Sequence, residues 1–60
     1  MNNYELIASE LSMLIYENEK DIESRVYALC EDYIKEYYPT VPKQAYLNII
    51  DHAFRIYVKI

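Results

Sequence analysis

Residues 38–57 read Tyr38-Pro39-Thr40-Val41-Pro42-Lys43-Gln44-Ala45-Tyr46-Leu47-Asn48-Ile49-Ile50-Asp51-His52-Ala53-Phe54-Arg55-Ile56-Tyr57, and their pattern decides the fold. Proline fixes its own φ, lacks an amide hydrogen and disfavours helical geometry at the residue before it. A helix arriving from the N-terminal side therefore stops at Tyr38, and Pro39-Thr40-Val41-Pro42 cannot continue it. Pro42 suits the first position of a new helix, where its missing amide hydrogen would have no partner anyway. Over 42–57 the apolar residues recur at helical spacing. Placed about 100° apart, Ala45, Tyr46, Leu47, Ile49, Ile50, Ala53, Phe54, Ile56, Tyr57, Val58 and Ile60 sweep roughly 220° of the wheel. An arc that wide predicts a central helix with more than one neighbour.

Upstream of the prolines, Ile22, Val26, Leu29, Cys30, Tyr33, Ile34 and Tyr37 share one helical face, with Arg25, Glu31, Asp32, Lys35 and Glu36 opposite. This predicts a helix over about 19–38. Further upstream, Tyr4, Ile7, Ala8, Leu11, Leu14 and Ile15 form one stripe, with Asn2 or Asn3 as an N-cap and Glu5 in the first turn. The predicted helix covers about 3–16. Residues 17–21 interrupt the apolar pattern, and Asn18 followed by Asp21 has the spacing of an N-cap and an acid at the third helical position. Neither Gly nor Pro marks the break, so a single helix over 3–37 within a dimer is the alternative. The fold predicted is all-α, one three-helix domain over residues 1–60.

A chain of 60 residues buries only about 60% of the surface its unfolded form exposes and gains from a partner copy. Leu6 and Met13 lie seven residues apart on the side of the first helix opposite its stripe, with Tyr16 nearby. They read either as ordinary exposed apolar residues or as a second packing face, which makes Leu6, Met13 and Tyr16 the candidates for self-association as a dimer. The single cysteine allows no intramolecular disulfide and fits a reducing compartment, read here as cytoplasmic. No basic segment of signal-peptide type opens the chain, and the apolar runs 13–16 and 56–58 are far short of a membrane span.

Few residues offer reactive chemistry. Cys30 falls on the apolar face of the second helix and reads as a small buried hydrophobe. His52, beside Asp51 and three residues before Arg55, reads as solvated. One His and one Cys cannot fill a tetrahedral metal site, and Glu31-Asp32 lacks the oxygen-ligand loop of a calcium site. A chain without Gly holds no glycine-rich phosphate loop. No catalytic residue, metal or cofactor is expected.

Two kinds of partner come from the polar surface. Lys43, Gln44, Asn48, His52, Arg55 and Lys59 have the side-chain repertoire of a DNA-reading helix. Against this, the net charge is −4, and the proline-rich connection is not a tight helix-turn-helix turn. The other kind is a protein. Eight tyrosines in 60 residues combine apolar area with a polar handle, and Tyr16, Tyr27 and Tyr38 fall at stripe edges, where such rings either complete a small core or meet a partner. Glu10 and Glu17 complete this candidate surface. Glu5, Glu10, Glu17, Glu19, Asp21 and Glu23 also form an acidic strip that could imitate nucleic acid or simply be solvated. The expected function is a non-enzymatic interaction module that docks a Tyr-bearing helical surface onto a partner protein as inhibitor, adaptor or regulator. The alternatives are a dimeric DNA-binding regulator using the third helix and a structural homo-oligomer.

Overall fold

Each apolar stripe forms a helix. The computed structural model describes residues 3–18, 20 and 23–59, with α1 at Asn3–Glu17, α2 at Glu23–Tyr37 and α3 at Tyr46–Lys59. A 3-10 turn over Lys43–Ala45 leads into α3. α1 packs chiefly against α3, while α2 lies against both with fewer contacts. The expected central role of the third helix is therefore shared with α1. Among the described residues there is no strand, and no helix is long and apolar enough to cross a membrane.

The core takes Ile7, Ala8, Leu11 and Ile15 from α1, Val26, Cys30 and Ile34 from α2, and Tyr46, Ile49, Ile50 and Ala53 from α3, with Ala45 just before it. These positions follow the 3.6-residue repeat on each helix. Ser12 is buried beside Leu11, which the apolar pattern does not indicate. Its hydroxyl donates to the Ser9 carbonyl at 2.6 Å, so it enters the core without an orphaned polar group. The apolar arc of α3 is narrower than its sequence implies, since Leu47 and Val58 are exposed. Among the described residues α1 and α2 cover that helix, and the edge of the arc that carries Leu47 and Val58 falls beyond them. Tyr37, also expected in the core, is 61% exposed; its ring packs on Tyr33, at 4.7 Å between centroids.

α1 ends at Glu17. A helix terminus leaves its last carbonyls without intrahelical donors, and a glycine in the left-handed region often resolves this. Here Asn18 does so: its backbone amide donates to the carbonyls of Leu14 and Ile15, and its side-chain amide donates to Leu14 at 2.9 Å. Asn18 thus closes α1. No residue among those described has a positive φ. One helix over 3–37 would be roughly 52 Å long at 1.5 Å per residue, whereas the longest extent of the molecule is 30 Å. The break between α1 and α2 is real. Residues Asn2, Glu19, Asp21, Ile22 and Ile60, assigned to caps, stripes or the acidic strip from sequence, lie outside the described residues, as does the side chain of Glu23.

The proline connection is ordered by its own backbone. The Tyr38 amide donates to Ile34 at 2.8 Å, completing α2, and the Val41 amide donates to Tyr38 at 3.0 Å across a turn with Pro39 in its second position. Pro42 is extended, with φ −67° and ψ 144°, and it precedes the helical residues instead of being the first of them. The Ala45 amide donates to its carbonyl at 2.9 Å. The resulting radius of gyration is 10.5 Å, close to the roughly 10.4 Å expected for a compact chain of this length.

Candidate interaction surface

The apolar stripe of α1 turns Glu10 toward α2. There the Tyr33 hydroxyl donates to Glu10 Oε1 at 2.6 Å and the Tyr38 hydroxyl donates to Oε2 at 2.5 Å. Each carboxylate oxygen therefore receives one phenol hydrogen. The rings behind them are also in contact: Tyr33 lies 4.7 Å from Tyr37 and 6.4 Å from Tyr38 between centroids, tilted by 47° and 40°. Tilted aromatic pairs at such distances are attractive beyond the area they bury.

The electrostatics follow from the same contacts. The bond from Tyr33, followed by that from Tyr38, holds the Glu10 carboxyl below its ordinary range, with burial opposing. The Tyr33 hydroxyl is pushed up to about 12, first by its bond to Glu10 and then by burial. Tyr38 is raised by the same carboxylate. Glu10 is thus an oriented anion at neutral pH. No cation among the described residues pairs with it, since the ion pair there joins Arg55 Nη2 to Asp51 Oδ2 at 3.3 Å on the exposed face of α3.

Glu10 has Leu6 four residues before it and Met13 three after, so the three adjoin on the surface of α1. Leu6 and Met13 are 57% and 55% exposed, and Tyr16 is 50% exposed. Leu6 also lines a cleft of about 360 Å³ with Tyr4, Ile7, Tyr38, Thr40 and Val41. Glu10, Tyr38, Leu6 and Met13 are therefore parts of one edge where α1 meets α2. The remaining expected partner-binding residues lie apart from its centre. Tyr27 is half-buried against the core, and Glu17 is exposed in the last turn of α1. Sequence reasoning placed Tyr33 on the core face and missed its hydroxyl.

Elsewhere the chemistry is sparse. Lys43, Gln44, Asn48, His52, Arg55 and Lys59 are all exposed, but Arg55 is already paired with Asp51. Asn48 and His52 line a cleft of about 240 Å³ with Tyr4, Glu5 and Ile49. Cys30 is buried, and desolvation pushes its thiol up to about 11, far from the range of a reactive thiolate. Among the described residues no three His, Cys, Asp or Glu side chains group as a metal site. No protein-family model matches the chain, and neither a curated protein nor a solved structure matches it.

Proposed function

We propose that this protein is a non-enzymatic interaction module whose α1–α2 edge docks onto a partner protein. The observation that carries this reading is the continuity of that edge: exposed Leu6 and Met13 flank Glu10 on α1, Tyr33 of α2 and Tyr38 just after it bond to Glu10, and Tyr37 packs on Tyr33. Protein interfaces favour this composition, with aromatic and Met side chains around a few oriented polar groups. Tyr rings contribute large contact area at low entropic cost because few torsions must be fixed. A second copy of the chain competes with the partner for this edge through Leu6, Met13 and Tyr16, forming a dimer when no partner is bound.

The test compares the wild type with Leu6→Lys/Met13→Lys. Both positions are exposed, so the fold survives the change. Sedimentation equilibrium measures self-association, and affinity capture from nuclease-treated lysate at rising salt, repeated with the purified partner, measures docking. A saturable protein partner lost in the double variant supports the module. Identical mass and identical capture for both proteins overturn it, and capture that vanishes with nuclease transfers the function to the polar face of α3.

A further inference from the structure

We infer that Glu10, together with the tyrosines around it, forms a receptor for the guanidinium group of an arginine side chain on the partner protein. The inference rests on the interaction-module role proposed above and names the chemistry of its partner.

The geometry carries the assignment. A carboxylate has about four lone-pair sites on its two oxygens, and a guanidinium offers parallel N–H donors in a planar fork that engages both oxygens at once. Tyr33 occupies one site on Oε1, and Tyr38 occupies one on Oε2. By count each oxygen keeps a second site, and the two phenol hydrogen bonds hold the carboxylate between Tyr33 and Tyr38. A carboxylate already restrained in this way loses less freedom on meeting a bidentate donor, which lowers the ordering cost of binding. Glu10 is half-buried, so the pair it forms is less screened than one between fully exposed side chains. It has no cation of its own among the described residues.

Aromatic surface stands next to this anion. The Tyr37 ring packs on Tyr33 while remaining 61% exposed. Guanidinium is planar, weakly hydrated and stacks on such rings, whereas an ammonium is a compact and strongly hydrated charge. The site therefore favours arginine over lysine. The net charge of −4 adds long-range attraction for a basic partner.

The experiment uses the full chain, labelled with ¹⁵N and ¹³C and titrated by NMR at matched ionic strength. The probes are N-acetyl-arginine amide, N-acetyl-lysine amide and N-acetyl-citrulline amide, the last a neutral isostere of arginine. The expected result is saturable shifts at Glu10, Tyr33, Tyr37 and Tyr38 with arginine, and affinity weaker by roughly tenfold or more with citrulline. Glu10→Gln should reduce arginine to the citrulline level with signal dispersion retained. Should that variant lose its fold, Tyr37→Leu, altered at an exposed ring, should weaken arginine severalfold. Absence of saturation, equal binding of arginine and citrulline, equal binding of arginine and lysine, or shifts confined to another face would each overturn the assignment. Arginine binding alongside unchanged capture by Leu6→Lys/Met13→Lys would keep the receptor and remove the docking edge. Docking without arginine binding would do the reverse.

Discussion

The Tyr38 hydroxyl meets Glu10 Oε2 across 28 positions of sequence, from the residue just before Pro39. Tyr33 reaches the other oxygen of the same carboxylate. The tie therefore joins the middle of α1 to the last turn of α2 and to the point where the connection to α3 departs.

Removing one hydroxyl tests that tie. Tyr33→Phe keeps the ring and its packing on Tyr37 but deletes a donor, and the expected loss is about 1 kcal/mol of stability by urea unfolding. Combined with Glu10→Ala, which removes the acceptor, the loss should be smaller than the sum of the single losses, because both changes break the same bond. Strict additivity would show that the bond contributes nothing in solution.

The same cluster sets a pH dependence. Glu10 has a folded-state pKa lowered from 4.5, so its contribution is present above the unfolded value and is lost as pH falls through the lowered one. Tyr33 has its value raised from 10.0 to about 12. Its contribution is complete below the unfolded value and disappears as pH rises toward the folded one. The stability difference between wild type and Tyr33→Phe should be level over about pH 5–9 and shrink at both ends. A difference that does not change with pH would separate the hydroxyl from the carboxylate.

Cys30 offers a test of the core. Its side chain is fully buried and its thiol is raised to about 11, so a thiol-specific reagent near neutral pH should label the folded protein only through unfolding. Labelling in urea should be prompt. Rapid labelling without denaturant would place Cys30 outside the core.

Asn18 supplies a fourth prediction. Its side-chain amide donates to the Leu14 carbonyl, a contact that alanine removes. Asn18→Asp removes it as well and adds a negative charge at the negative end of the α1 dipole. Melting temperatures should fall in the order wild type, Asn18→Ala, Asn18→Asp, with each step on the order of 0.5–1 kcal/mol. An aspartate variant as stable as the wild type would remove the capping role.

Much of the architecture was legible in the residues. Pro39 and Pro42 mark a boundary by covalent chemistry that no packing can override, and the spacing of Val26, Cys30 and Ile34 marks a buried face directly. Asn18 was legible as a cap but not as a cap for which helix, since its amide serves a carbonyl before it as readily as its carbonyl oxygen serves an amide after it. The partnership of Glu10 with Tyr33 was not legible. It joins residues 23 positions apart, and such a distance closes only once the relative placement of two helices is known. Leu47 and Val58 were misassigned for a related reason: hydropathy identifies what can be buried, while the number of neighbouring helices decides how much is.

The dominance of the α1–α3 contact has a bearing on how the chain is made. Ile7 and Leu11 are buried with Ile49, Ile50 and Ala53, which are synthesised well after them. At synthesis rates of about 5–20 residues per second, the first helix waits some seconds for the surface that covers it. Until then α2 alone can shelter it, through the lesser of its two interfaces. Nascent chains halted before residue 49 should accordingly remain sensitive to protease, and the native fold should arise in one step once α3 has left the ribosome.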